Sequence, residues 1–331
     1  MSGKLSHRLE EGAGAQAGVS SLRRAVFNSA PVNRCLAYAS PQSFQRLTGS
    51  RVTAEVIELI WQAKVWRGDI ALRIADHFVG EGGHVLDIGA NWGLFSYHFS
   101  KRVGRSGRVY TFEPNPSNWR CLAGAQERYG NVSLFRLALS DHDGLGQLFV
   151  PRLHGRSISA QGSLTKPFAT ETSTVKVRLS RLDHAFGEIE RVDFVKIDVE
   201  GHERNVLRGG RRILGALPPM LIEIEQRHLE VPIDEVFSDL EQIGYRIFAI
   251  RESGAVPLCE FDVHRDQLQH LGGEFDAFSV GPGYVHDFVA IGPSSVLPAS
   301  VLCSEPSGSV APGDPVEVKG AKSRSASAHR R

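Results

Sequence analysis

The chain has 331 residues, 41% of them hydrophobic and 23% charged, an ordinary balance for a soluble globular protein with a substantial core. The formal net charge is +1, so no global field favours nucleic acid or a membrane surface, and a neutral or small partner is expected rather than a polyanion. Four cysteines, at 35, 121, 259 and 303, form no CxxC pair, which argues against a zinc site or redox motif. No apolar run approaches the roughly 20 residues that span a bilayer, so no transmembrane segment is expected. The N-terminus lacks the apolar core of a secretory signal, and a cytoplasmic setting is expected.

In chain order, residues 1–30 are rich in Gly, Ala, Ser and charge and read as a disordered leader. Residues 31–80 read as an N-terminal helical segment packed on the core. Its apolar positions (Val56, Ile57, Ile60 and Trp61, then Ile70, Leu72, Ile74, Ala75 and Phe78) have helical spacing, divided at Gly68. Residues 81–292 alternate strand and helix. HVLDIG is followed by a helix over 92–102, RVYTF (108–112) by a helix over 116–129, and VSLFRLA (132–138) ends this first half. After two further strands, 145–150 and 174–179, the alternation resumes. VDFVKID (192–198), a helix over 202–214, PMLIEIE (219–225), a helix over 234–243, YRIFAI (245–250) and DFVAIG (287–292) complete it. The pattern predicts an α/β fold, a doubly wound seven-stranded Rossmann-like sheet with the last strand antiparallel. The polar Gly/Ser-rich stretch 151–173 is too long for a passive connection and reads as a lid or binding loop. Residues 293–331, rich in Ser, Pro and basic residues, read as a disordered tail.

The most informative segment runs from Val85 to Gly93, VLDIGANWG, which begins as a buried strand and ends as a helix. Glycines there let backbone N–H groups approach a ligand, and the helix start adds a positive dipole end. The order is D-x-G-x-N-x-G, without the third glycine of the dinucleotide fingerprint, so a dehydrogenase is disfavoured. Asp87 suits S-adenosyl-L-methionine instead. It is placed to accept from that cofactor's ammonium or to orient the loop, while backbone N–H groups take the carboxylate. Glu113, at the tip of the second strand, is placed to accept from both ribose hydroxyls. Asp141 or Ser140, after the third strand, either holds the adenine amine or makes a turn before Gly144.

Asp198, Glu200 and His202 follow the fourth strand, at the carboxyl end where doubly wound sheets hold ligands. Glu223, Glu225 and His228 close the next strand. An acceptor hydroxyl is a poor nucleophile, and His202, with an ordinary pKa near 6.5, is the candidate base. The carboxylates also have the chemistry to hold a divalent cation, although no metal site is assigned.

At VLDIGANWGLFS, FEPNP, ALSD, VRLSRLD, VDFVKIDVEGHE and LIEIE the chain resembles the FkbM family of methyltransferases, over roughly residues 83–250. The resemblance implies the seven-strand fold, O-methylation of sugar, polyketide or similar hydroxyls, and cofactor contacts at Asp87, Gly89, Asn91, Gly93, Glu113 and Asp141. It implies an active-site face at Asp198, Glu200 and His202. The departures lie in 151–173 and at both ends, so acceptor identity does not transfer. The alternatives are an N- or carboxyl-methyltransferase, although the Asn/Asp-Pro-Pro-aromatic turn of N-methyltransferases is absent, and a non-catalytic cofactor-binding domain.

Overall fold

The computed structural model describes residues 57, 58, 61, 62, 64, 68–153, 156–157, 162–165, 171–187, 191–271 and 281–303. The expected leader, most of the segment before Gly68 and residues 304–331 lie outside the described residues.

The first described helix, α1 (Ile70–Phe78), starts where the Asp69 carboxylate accepts from the Leu72 amide, a side-chain cap on an orphan backbone donor. It turns Ala71, Leu72, Ile74 and Ala75 into the core. Strand β1 (His84–Ile88) leads into α2 (Leu94–Val103), β2 (Arg108–Phe112), α3 (Trp119–Tyr129) and β3 (Val132–Phe135). After an excursion described below, β8 (Phe194–Ile197), β9 (Met220–Glu223), α7 (Ile233–Ile243), β10 (Arg246–Arg251), β11 (Gly254–Pro257) and β12 (Asp287–Ile291) complete the main sheet. Its order is β11-β10-β12-β9-β8-β1-β2-β3. The run from β3 to β9 is parallel, whereas β12 is antiparallel to both β9 and β10. This is the expected seven-strand α/β sheet with an antiparallel last strand, extended at one edge by β11, which folds back on β10. The central strands are apolar because both faces are covered: β8 is buried along its whole length, and Phe194, Val195 and Ile197 are fully enclosed.

The chain leaves β1 in one direction, through β2 and β3, and returns on the other side at β8. The carboxyl ends of β1 and β8 therefore flank the point where strand order reverses, the usual ligand crevice of such a sheet.

Three expectations need correction. The third strand is not continuous over 132–138. It breaks after Phe135, and Ala138–Ser140 forms β4 in a second sheet of order β4-β7-β5-β6, with β5 at Gly144–Leu153, β6 at Arg156–Ser157 and β7 at Thr172–Arg181. An unbroken apolar pattern does not reveal that a strand changes sheets. The helix expected over 202–214 is two pieces, α5 (Glu203–Gly209) and α6 (Arg211–Leu214), following the short α4 (Leu182–Ala185). A Cβ at Gly209 would lie 2.0 Å from the Ser140 carbonyl oxygen, so the helix passes directly against β4 there. Finally, residues 293–303, expected as the start of a disordered tail, dock on the core. Leu297 and Val301 are buried against Ile74 and Ile291, and Leu302 bridges to Ala255. No helix among the described residues is long and apolar enough to cross a membrane.

Candidate active site

The loop after β1 is shaped by close backbone contact. A Cβ at Gly89 would sit 1.8 Å from the Asp198 carbonyl oxygen, and its φ is +78°, so this position admits only glycine. The Gly89 and Ala90 amides both donate to the Phe112 carbonyl, tying the loop to β2. Gly93, also left-handed at φ +93°, starts α2 and packs against Leu122. Asp87 is fully buried beneath this loop. Its Oδ2 accepts from the Ser96 hydroxyl at 2.5 Å, while Oδ1 is buried with no hydrogen-bond partner among the described residues. Burial pushes its carboxyl up, offset in part by Lys196.

Glu113 is buried at the tip of β2. Its Oε2 accepts from the Asn91 amide and its Oε1 from the Asn115 amide, both at 2.7 Å. It thereby clamps the β1 loop to its own turn, and a carboxylate has lone pairs left for a further donor pair. Burial pushes Glu113 up to about 8, against those two amides. Among the described non-glycine residues only Asn91, Glu200 and Leu217 have positive φ, and the first two lie in loops facing one pocket. Backbone strain of that kind concentrates at functional sites.

That pocket lies at the carboxyl ends of β1, β2 and β8, beside Ile88, Phe112 and Asp198. Gly89, Asn91 and Glu113 line one side, with Phe112 and Leu137–Leu139 as an apolar wall, and Asp198 and Glu200 line the other. Gly162 and Leu164 close over it, so part of the long polar stretch does reach the site. It is anchored there because the buried Ser163 hydroxyl donates to the Glu200 carbonyl (2.7 Å) and the Thr165 hydroxyl to the Gly201 carbonyl (3.0 Å).

The two carboxylates after β8 have opposite surroundings. Asp198 accepts from the buried Lys196 ammonium at 2.8 Å. Burial alone would lower the Lys196 pKa, but Asp198, Asp87 and Glu223 together raise it, so the cation stays charged beside Asp198. Its ammonium also lies 4.8 Å from the Phe95 ring centre. Glu200 faces a histidine instead, and the Arg227 and Lys196 charges only partly offset its burial. Its Oε2 lies 2.7 Å from Nδ1 of the buried His228, and burial, with Asp198 and Glu225 nearby, raises its carboxyl well above the ordinary range. Arg227 holds Glu225 through two bonds, at 2.7 and 3.0 Å.

Four expected site residues are not in the pocket wall: Asp87 and Gly93, placed above, and His202 and Asp141. His202 precedes α5, and its Nε2 is hydrogen-bonded to the Ser140 hydroxyl at 2.9 Å. Burial pushes it down to about 4, too weak a base for neutral pH. Asp141 likewise lies outside the wall and accepts from Asn205 at 3.0 Å and pairs with His142 at 2.7 Å. The residue whose importance the sequence understated is His228; the His-Glu pair it makes with Glu200 spans two loops and has no linear spacing to reveal it. Two trios bring possible metal-ligand atoms within 4.8 Å, Glu200–Glu225–His228 and Glu223–His286–Asp287. Each already contains a His–Glu pair, and Arg227 and Lys196 supply positive charge beside them.

The sequence profile of the methyltransferase FkbM domain matches residues 87–247, the stretch from the buried Asp87 to β10. Hexuronic acid methyltransferase AglP of Haloferax volcanii is 31% identical over 178 residues, which are 53% of this chain and 70% of AglP. The chain belongs to the FkbM methyltransferase family. As a member of that S-adenosylmethionine-dependent family, it takes S-adenosyl-L-methionine as its methyl donor. The 2-O-methyltransferase NoeI of Sinorhizobium fredii is 28% identical over 145 residues, 39% of this chain and 58% of NoeI. The solved structure of an FkbM methyltransferase from Methylobacillus flagellatus aligns at 15% identity with a TM-score of 0.37, covering 68% of this chain and 56% of that one.

Proposed function

We propose that this FkbM methyltransferase transfers the methyl group to a hydroxyl oxygen of a sugar or similar small molecule, with Glu200 as the general base. The observation that carries the reading is one pocket with two unlike sides. Gly89, Asn91 and Glu113 offer a cradle of amides and one buried carboxylate, while Asp198 and Glu200 face it from β8. When bound, S-adenosylmethionine supplies an electrophilic methyl on a sulfonium. The chain's own residues fit that group: Glu113 for the ribose hydroxyls, the apolar Leu137–Leu139 wall for the adenine ring, and the unpartnered Asp87 Oδ1 for the ammonium. The nearby carboxylates favour its positive charge.

The environments of Asp198 and Glu200 divide the labour between them. Asp198, already bonded to the Lys196 ammonium, is fit to orient the acceptor. Glu200, raised by burial, is the stronger base and takes the hydroxyl proton, with His228 behind it to steady the charge. The 2-O position on which NoeI acts favours an oxygen acceptor, and the hexuronic acid on which AglP acts favours a sugar. Residues 81–292 constitute the methyltransferase domain in this reading, with α1 packed on it, and a cytoplasmic setting matches the location of the cofactor's supply. Incubating the protein with methyl-labelled S-adenosylmethionine and a set of polyhydroxylated and amine-bearing acceptors tests the reading. Label on oxygen is expected, and label only on nitrogen or carboxylate would overturn it.

A further inference from the structure

A second, more open cavity lies on the same carboxyl face of the sheet, on the side away from the glycine loop. Strand register fixes its place. Ile197 pairs with Ile222, so Asp198 stands level with Glu223, and Glu223 pairs with Asp287, which lines the cavity. Two strand steps of roughly 4.8 Å each separate β8 from β12, so the cavity begins about 10 Å from Asp198, the span of one or two sugar rings. A charged row of Lys196, Asp198, Glu223 and His286 joins the two openings.

The wall is polar, with an apolar floor at Ile70, Ala71 and Ile250. Its cations are Lys64, Arg251 and His286, the last pushed up by Glu223 and Asp287 against the opposing effect of burial. Each of the three already faces a carboxylate. Lys64 lies 3.6 Å from Asp69, Arg251 lies 3.2 Å from Asp266, and His286 lies 3.2 Å from Glu223. Glu252 and Asp287 add negative charge to the same wall. An anionic ligand would therefore meet carboxylates with every lining cation among the described residues already matched. Uncharged hydroxyls would find abundant donors and acceptors at far smaller desolvation cost. The Tyr284 ring also lines the cavity, stacked on His286 at 6.0 Å and 28° with the Arg227 guanidinium 5.8 Å from its centre, and it adds aromatic C–H surface that a sugar ring can pack against.

We infer that this second cavity seats the methyl acceptor and that it selects an uncharged, polyhydroxylated one, a neutral glycan of at least two rings in preference to its uronic acid counterpart. The inference rests on the proposed function and adds a location and a charge to its acceptor.

The test is calorimetric titration of cellobiose, lactose and cellobiouronic acid into the full chain saturated with S-adenosylhomocysteine, whose own binding is measured first. At least one neutral disaccharide is expected to bind ten-fold or more tighter than cellobiouronic acid. Tyr284→Ala should weaken that binding at least ten-fold while Tyr284→Phe retains it. Glu252→Lys, a change at an exposed rim residue, should tighten cellobiouronic acid at least five-fold. Affinity for S-adenosylhomocysteine should stay the same in all three variants. Equal or tighter binding of the acid by the unmodified chain would overturn the inference. So would neutral binding that ignores Tyr284→Ala, or no disaccharide binding by a chain that does bind S-adenosylhomocysteine. Failure to bind S-adenosylhomocysteine would instead overturn the cofactor reading, and this inference with it.

Discussion

The two halves of the carboxyl face are built in different ways. On the β1–β3 side, ligand-facing groups are held by backbone: Gly89 sits against the Asp198 carbonyl, and Glu113 is fixed by the Asn91 and Asn115 amides. On the β8–β12 side, side chains hold one another: Lys196 pairs with Asp198 and His286 with Glu223, and Glu200 lies against His228, whose imidazole burial pushes down. A backbone-held site is rigid and takes one ligand. A site of paired side chains can be retuned by substitution without disturbing the fold. The first is suited to a fixed methyl donor and the second to a variable acceptor.

The largest effect that would sharpen this contrast is expected at Glu200. Glu200→Gln should lower turnover roughly 10²–10⁴-fold, the usual contribution of a general base, with cofactor affinity intact. The base works deprotonated, and burial with Asp198 and Glu225 nearby raises its pKa. The kcat/KM of the unmodified enzyme should therefore climb with pH, with a midpoint above the ordinary carboxylate range. A pH–rate profile should show that limb, and the variant should lack it. A substitution on the other side should act on binding. Asp87→Asn keeps the Ser96 contact but removes the charge, and should weaken cofactor binding by about 1–3 kcal/mol in a direct titration.

A third expectation concerns stability. Glu203 is buried at the start of α5, accepts from the Gly201 amide at 3.0 Å, and is pushed up by burial to about 8. A carboxyl raised on folding stabilises the fold below its unfolded pKa, and that stability is lost as pH rises from about 4.5 to about 8. Glu203→Gln mimics the protonated form. Its advantage over the unmodified chain should grow to roughly 4–5 kcal/mol across that window in denaturant unfolding. A gap independent of pH would contradict the raised carboxyl. The smallest effect is expected at His202, which bonds Ser140 outside the pocket wall. His202→Ala should change turnover less than about ten-fold, equivalent to ~1.4 kcal/mol.

The same contrast explains what the sequence made legible. The β1–β3 side is written in contiguous residues, because a strand, a glycine turn and a helix start are local events. Gly89, Asn91 and Glu113 could be named from spacing, and all three line the pocket. Asp87 and Gly93 sit just outside the wall, and Asp141 leaves it because nothing local signals that β4 moves to another sheet and carries the following residues with it. On the other side the pairs are made across strands and loops. His228 lies 28 residues after Glu200 in the chain yet touches it at 2.7 Å. His202 lies two residues from Glu200, and its proximity in sequence attracted a role that its contact with Ser140 does not support. The fold was readable because its strands are short, apolar and separated by helices. The β11 edge strand and the docking of Leu297 and Val301 were not, because each depends on a distant surface.

The division between the two sides is tested most directly by titrating S-adenosylhomocysteine into the unmodified chain, Glu113→Gln and Glu200→Gln. The account predicts an affinity loss of about ten-fold or more for Glu113→Gln, a charge-assisted bond being worth about 1.5–3 kcal/mol, and unmodified affinity for Glu200→Gln. Unchanged binding by a folded Glu113→Gln together with lost binding by Glu200→Gln would contradict it.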